Sequence, residues 1–248
     1  FETIVSRNVK SMDGKMKGMI MAGMMAVSLI LGILGVLGNA WLHAEYEDDE
    51  DVDGMTVSYG LNNMAVTYDL TEFMGGMMEG ECDAMLENMD EEDGMEAECE
   101  DDDTLSATMS LSEVCEDAES DLADAKDAGL EGDDLDDAQK DTDDVCASAS
   151  AGTMGTIGMW AGIVCALVAT LMLVLPMAGV DAMDAIPDMG KMIVTWGTGG
   201  LMLLGMLLWY FMMPDGESSM GLHLWLAGAA MTIGLGAAAT GQFIPADE

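Results

Sequence analysis

Four long apolar segments constrain the fold of this chain more than any other feature of its sequence. They run over Gly18–Leu42, Met154–Ala178, Met192–Met213 and Met220–Ile244, and none contains Asp, Glu, Lys or Arg. A helix needs about 20 apolar residues to cross a hydrocarbon core of about 30 Å, and each segment exceeds that length. Because buried helices of soluble proteins rarely stay apolar on every face for so long, the pattern predicts four membrane-spanning helices.

The few basic residues predict the orientation of these helices. The first apolar segment follows four of them: Arg7, Lys10, Lys15 and Lys17. Lys191 lies between the second and third segments. Since basic residues accumulate on the cytoplasmic side, residues 1–17 and the carboxyl terminus are predicted to be cytoplasmic and residues 43–150 outside. A cleaved signal peptide is the other interpretation of the first segment, but its apolar run is too long for one, which favours an uncleaved anchor in the cell membrane.

The predicted outer segment is strongly anionic. Thirty-eight of the 47 acidic residues lie between His43 and Ala147, with only Lys126 and Lys140 to offset them, so the segment carries −36 of the chain's −40. Such a charge repels nucleic acid and anionic lipid and attracts cations or basic proteins. A surface rich in carboxylates is also a general adaptation to a saline habitat, and that interpretation names no ligand.

A β-hairpin is predicted within this acidic segment. Residues 55–61 and 64–70 alternate apolar and polar side chains on either side of Asn62-Asn63, a link that suits a tight turn because asparagine tolerates positive φ. Pairing across that link sets Leu61 opposite Met64. One face of the hairpin would then carry eight apolar residues: Met55, Val57, Tyr59, Leu61, Met64, Val66, Tyr68 and Leu70. A lone hairpin is marginal in water, so we expect this face to pack on further strands, on acidic helices or on a partner chain.

Beyond Thr104 the pattern turns helical. Apolar residues recur at intervals of three and four from Leu111 to Ala125, and again from Leu135 to Cys146. The break between the two stretches is flanked by glycines, which favour a turn. The spacing predicts an antiparallel helical hairpin whose second arm continues into the second span.

The cysteines predict two disulfides. Four of the five lie in the predicted outer segment, where oxidising conditions favour disulfide formation, although four cysteines allow three connectivities. Cys115 and Cys146 are equidistant from the glycine-flanked turn, and Cys82 and Cys99 bracket an acidic turn around residues 90–94. We therefore predict the pairs Cys82–Cys99 and Cys115–Cys146. Zinc ligation competes with this interpretation, but no CxxC pair or neighbouring His supports it.

One short stretch resembles a metal loop. Asp49, Asp51, Asp53 and Gly54 form DxDxDG, the opening of a calcium-binding loop in which alternate side chains converge on the ion. The closing bidentate acid is missing, because Gly60 stands at the twelfth position. Weak calcium binding by the three aspartates is one hypothesis, and a diffuse cation atmosphere is the other. No other cofactor is predicted.

The topology resembles that of the claudin and peripheral-myelin-protein superfamily. That superfamily has four spans, a large outer first loop with an early Trp, and a later Gly-Leu-Trp followed by two cysteines. Here Trp41 stands just after the first span, and Gly60-Leu61 follows at a similar separation. The sequence departs from the motif at Asn62, which replaces the second Trp, and no cysteine pair follows closely. The resemblance implies a structural or interaction role at the cell surface.

Together these patterns predict a membrane α-helical protein: a four-transmembrane-helix bundle with a small disulfide-stapled extracytoplasmic α+β cap. The sequence offers no plausible pair of nucleophile and base, so we do not expect an enzyme. We expect an integral membrane structural or interaction protein, surrounded by lipid, whose acidic outer domain binds a neighbouring protein, a cell-surface assembly or a second copy. The alternative is a cation channel or transporter accessory subunit with an acidic vestibule that concentrates cations.

Overall fold

The computed structural model describes residues 12–44, 55–73, 82–86, 95–180, 186–214, 218–244 and 246–247. Its helices are α1 (Gly14–Leu37), α2 (Leu70–Phe73), α3 (Cys82–Leu86), α4 (Leu111–Asp127), α5 (Asp133–Met177), α6 (Asp188–Met212) and α7 (Leu222–Phe243). Its strands are β1 (Met12–Asp13), β2 (Leu42–Ala44), β3 (Met55–Tyr59), β4 (Asn63–Asp69), β5 (Met95–Asp101), β6 (Thr104–Ser110), β7 (Ser218–Met220) and β8 (Ala246–Asp247).

The chain divides into two compact units. The first, which we call the helical unit, comprises Phe1–Val36, Ile157–Met206 and Trp225–Glu248. The second, which we call the sheet unit, comprises Leu37–Thr156 and Leu207–Leu224. Each unit therefore gathers segments that are distant in the sequence.

Four helices are long and apolar enough to span a membrane: α1, α5, α6 and α7. The protein is thus a multi-pass membrane protein, and the four predicted spans are confirmed as helices. Two of their predicted ends are wrong: Leu42 belongs to strand β2, and Met220 belongs to strand β7. Apolar composition alone could not separate these strand residues from the spans, since a buried strand and a membrane helix both favour large apolar side chains.

Glycines allow close packing within the helical unit. A Cβ at Gly158 of α5 would come within 2.8 Å of the backbone nitrogen of Gly205 in α6, so these helices approach through their backbones. Buried Ser28 of α1 donates a hydrogen bond to the carbonyl oxygen of Ala230 in α7 at 2.7 Å. Close contacts between small residues therefore hold α5 against α6 and α1 against α7.

Methionine side chains cover other glycines of the same unit. Cβ positions built on Gly32 and Gly236 would lie 2.9 Å from the Cε atom of Met202 and 3.1 Å from that of Met24. Unbranched thioether side chains adapt to irregular gaps, so methionine can fill the space that a missing side chain leaves. Part of the chain's high methionine content thereby serves packing.

Alanine at Gly158 should destabilise the helical unit, because its methyl group would collide with the backbone of α6. We expect a loss of about 1–3 kcal/mol in unfolding free energy, measured by unfolding in mixed detergent micelles with rising dodecyl sulfate. Gly200→Ala is the matched control, since nothing lies within 4 Å of its Cβ position. Equal stability of the two variants would contradict close packing of α5 on α6.

Strands β2 to β7 form one antiparallel sheet in the order β5-β6-β4-β3-β2-β7. Strand β2 follows α1 directly, and β7 lies between α6 and α7. Leu42 of β2 pairs with Tyr59 on one side and with Met220 on the other. The sheet therefore combines two segments of the chain that are separated by two spanning helices.

The prediction of helix beyond Thr104 is wrong for residues 105–110, which belong to strand β6. Polar and apolar residues alternate there, and Leu105 and Ala107 are buried on one face. That period of two is typical of a strand, whereas the helical period begins only at Leu111. Pairing with both β4 and β5 then satisfies the backbone of β6 on both sides.

The hairpin of β3 and β4 forms, but its predicted register is wrong. Tyr59, not Leu61, pairs with Met64, and the Gly60 N–H donates to the carbonyl oxygen of Asn63 at 2.8 Å. The turn is therefore Leu61-Asn62 rather than Asn62-Asn63. Leaving the strand lets Leu61 become buried, with 2% of its surface exposed. The observed register differs from the predicted one by two residues. Because side chains alternate with a period of two, the apolar residues that remain in the strands still lie on the same face.

The predicted helical hairpin is present as α4 and the first part of α5. Gly129 and Gly132 between them have φ angles of 86° and 77°, which glycine adopts at little cost. Helix α5 is 45 residues long and continues without interruption into an apolar span.

Both disulfides are present in the predicted pairing, with Cα separations of 6.0 Å for Cys82–Cys99 and 4.9 Å for Cys115–Cys146.

The second disulfide should hold the protein together after cleavage by a lysine-specific protease. Lys126 and Lys140 both lie between Cys115 and Cys146 and are exposed. In a variant whose other lysines, Lys10, Lys15, Lys17 and Lys191, are replaced by arginine, we expect one band on a non-reducing gel and separate fragments after reduction. Serine at both Cys115 and Cys146 should separate the fragments without reductant and lower the unfolding free energy by about 3–4 kcal/mol. The same substitutions at Cys82 and Cys99 are the control and should leave the cleaved chain linked.

Candidate interaction site

The sheet has one apolar face and one polar face. Because side chains alternate along each strand, the observed register assigns every described residue to one of them. The apolar face carries Leu42, Met55, Val57, Tyr59, Met64, Val66, Tyr68, Ala97, Cys99, Leu105, Ala107, Met109 and Met220. The polar face carries His43, Thr56, Ser58, Asn63, Ala65, Thr67, Asp69, Glu96, Glu98, Asp101, Thr104, Ser106, Thr108, Ser110 and Ser219.

Six of the eight residues in the predicted interaction face share the apolar face of the sheet. Val57 and Val66 are buried at its centre, and the other four are half-buried: Met55, Tyr59, Met64 and Tyr68. The remaining two, Leu61 and Leu70, are buried outside the strands, in the turn and at the start of α2. Much of the predicted face is therefore interior to the sheet unit.

A compact cluster holds one end of the apolar face. Leu70, Cys82 and Leu105 are buried together, with Tyr68 and Leu86 packed against them. The disulfide from Cys82 to Cys99 ties α3 to the edge strand β5. One covalent bond and one apolar cluster therefore restrain β5, although it has only one neighbouring strand in the described sheet.

Trp41 lies between the two parts of the sheet. The backbone N–H of Trp41 donates to the carbonyl oxygen of Tyr59, and the Trp41 carbonyl oxygen accepts from the Gly221 backbone N–H. Both distances are 2.8 Å. The indole ring meets that of Trp209 edge to face, with centroids 5.1 Å apart, and both rings are buried. Among the described residues the Trp209 Nε1 has no hydrogen-bond partner, and the packing of its ring on Trp41 holds this indole in place. Sequence reasoning singled out Trp41 but missed Trp209, which looked like one more apolar residue of a span.

His223 links the segment after α1 to the start of α7. Its imidazole Nδ1 accepts a hydrogen bond from the Ala40 backbone N–H at 3.3 Å, and the backbone N–H of His223 donates to the Ala40 carbonyl oxygen at 3.1 Å. A Cβ at Gly38 would overlap the imidazole ring, so only glycine leaves room for this arrangement. The histidine therefore has a structural role in the sheet unit.

The carboxylates of the sheet unit have little compensation from basic residues. Its two lysines are Lys126 and Lys140, and neither pairs with a carboxylate in the described part of the chain. The Lys126 ammonium instead donates to the side-chain oxygen of Gln139 at 2.9 Å. An anionic field with few internal counter-charges attracts cations and basic proteins.

Asp101 shows how the turn between β5 and β6 is stabilised. A hydrogen bond from the Thr104 side chain, together with one from the Asp103 backbone N–H at 3.0 Å, lowers the pKa of the Asp101 carboxyl below its ordinary value of 3.8. These donors favour the charged form, so the carboxylate stabilises this turn above the ordinary pKa. The contribution is lost as the pH falls through the lowered value.

The predicted calcium ligands Asp49, Asp51 and Asp53 lie outside the described residues. Elsewhere, Cys115, Glu119 and Cys146 bring their ligand atoms within 4.8 Å of one another. The two sulfur atoms of that group are joined in a disulfide, so they are not thiolates available to a metal ion. This cluster is a covalent staple.

No protein-family model matches the chain, and no curated protein matches it either.

Alanine at Trp41 should unfold the sheet unit more readily, because it removes the ring that packs on Trp209. We expect a loss of about 3–5 kcal/mol, measured by thermal unfolding with near-ultraviolet circular dichroism. Trp225→Ala is the control, since that ring is 66% exposed, and it should cost less than about 1 kcal/mol. Similar losses for both variants would show that the buried indole pair does not hold the sheet.

Proposed function

We propose that this chain is an integral membrane interaction protein whose sheet unit faces the outside of the cell and binds a basic neighbouring protein. One observation carries the proposal: the sheet unit contains a β-sheet restrained by disulfides, and only two lysines compensate its many carboxylates. A stapled platform loses little conformational freedom on binding, and its field draws basic partners towards it.

Two independent features support the proposed orientation. Both disulfides lie in the sheet unit, and disulfides persist in oxidising compartments outside the cytoplasm. Within the helical unit, the Lys17 ammonium donates to the carbonyl oxygens of Gly241 and Ile244 at 2.8 and 2.5 Å. A basic residue at the carboxyl end of a helix is favourable there and agrees with a cytoplasmic location of both termini.

The arrangement of the strands supports a claudin-like organisation within this proposal. The segment between α6 and α7 supplies β7, which pairs with β2 beside buried Trp41. The proposed likeness combines a large outer first loop that contains strands with a short second outer loop, and here one sheet contains strands from both segments. We extend the likeness to architecture and to a role in cell-surface contacts, because a shared fold does not by itself transfer a specific partner.

The alternative, a cation channel or accessory subunit, has weaker support. An acidic vestibule would concentrate cations. However, the apolar cores of the four spans contain no Asp, Glu, Lys or Arg, and an ion pathway usually places ionisable or polar groups within the membrane. The charge pattern therefore favours recognition over conduction.

Site-specific photocrosslinking in the cells that express the full chain tests the proposal. A photoreactive residue at exposed Glu119 of α4 should give an adduct of defined mass that persists in washed membranes. The control position is Leu34 of α1, which is 50% exposed and lies in an apolar spanning helix, and it should give no such adduct. Crosslinking that is equal at both positions, or cation-selective conductance by the purified protein in liposomes without an adduct at Glu119, would overturn the proposal.

A further inference from the structure

In the part of the chain that the structure describes, β5 is an edge of the sheet, with a row of backbone groups that no neighbouring strand pairs with. Strand β5 bonds to β6 on one side, and no described strand lies on its other side. It is seven residues long, whereas the strand at the opposite edge, β7, has three. A long edge strand is a template for a further strand.

The register identifies which groups point away from the sheet. The β4–β6 ladder extends at its two ends through bonds from the Leu111 N–H to the Asn62 carbonyl and from the Leu70 N–H to the Asp103 carbonyl, at 2.9 and 2.8 Å. Residues of an antiparallel strand bond alternately to its two neighbours. Leu111 and Asp103 flank β6, and both are odd-numbered. By alternation, β6 therefore bonds to β4 through its odd-numbered residues and to β5 through its even-numbered residues.

It follows that Glu96 and Glu98, which pair with Thr108 and Ser106, make the hydrogen bonds to β6. The N–H and C=O groups of Ala97 then point to the open edge, as do those of Cys99. The side chains of these two residues lie on the apolar face, and Ala97 packs against the cluster of Leu70, Cys82 and Leu105. Exposed Glu96 and Glu98 lie on the polar face.

The alternation of apolar and acidic side chains along β5 indicates which side chains an added strand should have. Its apolar side chains would continue the apolar face beside Ala97 and Cys99, and its alternate side chains would lie beside the two glutamates. Opposite charges across a strand pair are favourable, and like charges are not. A second copy of β5 would set glutamates beside glutamates, whereas a strand with Lys or Arg at alternate positions would compensate them.

We propose that the β5 edge binds an extended segment of a partner protein in which Lys or Arg alternates with apolar residues, by addition of a seventh strand to the sheet. The inference rests on the proposed function and names the mode and chemistry of that binding. The Cys82–Cys99 disulfide and the turn at Asp101 hold the edge in its extended form before the partner arrives.

A synthetic eight-residue peptide of alternating lysine and valine is the probe, with the full chain in nanodiscs of uncharged lipid. We expect Ala97→Pro to weaken binding at least tenfold, because proline removes the outward N–H without removing a bond to β6. Ala97→Ser keeps that N–H and should stay within twofold of the unchanged protein. Two further peptides are methylated at alternate backbone nitrogens, one at the odd and one at the even positions. Only the peptide whose methyl groups face β5 should bind weakly, since only one edge of the added strand bonds to β5.

Hydrogen exchange on the unchanged protein provides a measurement that needs no folded proline variant. The peptide should slow exchange of the Ala97 and Cys99 amides. Equal peptide binding by the proline and serine variants, or binding without slowed exchange, would show an electrostatic association only and overturn the proposal. Slowing that depends on protein concentration without peptide would also overturn it, in favour of a second copy.

The outcome for the edge is separable from that of the proposed function. If the photocrosslinked adduct at Glu119 forms equally in the Ala97→Pro and Ala97→Ser variants, the protein still binds a partner, but not through β5. If neither variant nor the unchanged protein forms the adduct, the proposed function itself fails.

Discussion

The hydrogen bonding of β2 is the constraint on which the sheet unit depends. Three residues join strands from two separate chain segments, and Trp41 immediately before them bonds to Tyr59 and to Gly221. Strand pairing alone would be weak over so short a length. The buried contact between Trp41 and Trp209 adds apolar stabilisation at the same point, because a buried indole removes a large apolar surface from water. The sheet therefore remains one structure although its strands are far apart in the sequence.

The same unit must overcome its own charge. Carboxylates with few counter-charges repel one another and favour expanded states of the chain. Two disulfides oppose this expansion, since each closes a loop that the unfolded chain could otherwise open. The staples also act at specific places: one secures the edge strand β5, and the other joins the two arms of the helical hairpin. An anionic surface and a fixed shape are thereby compatible, and this combination is the physical basis of the proposed recognition role.

Prediction from the sequence succeeded where a local pattern had one structural solution. Long apolar runs gave the four spans, and the helical spacing after Leu111 gave the hairpin of α4 and α5. Cysteines at equal distances from a turn gave the pairing of Cys115 with Cys146. It failed where several solutions were compatible with the pattern: the register of β3 and β4 could shift without moving the strand residues to the other face, and the alternation in Thr104–Ser110 was obscured by the helix that follows it.

By itself, the sequence determined the class of protein, because hydropathy and charge depend on composition and order rather than on contacts. It also determined which faces of the strands are apolar, since side chains alternate in any extended chain. Only the tertiary structure decided that β7 joins the strands of the acidic segment, that Trp209 packs on Trp41, and that β5 rather than the β3–β4 hairpin forms an edge of the sheet. These features depend on pairing between residues distant in the chain, and backbone hydrogen bonds leave no signature in the local order of side chains.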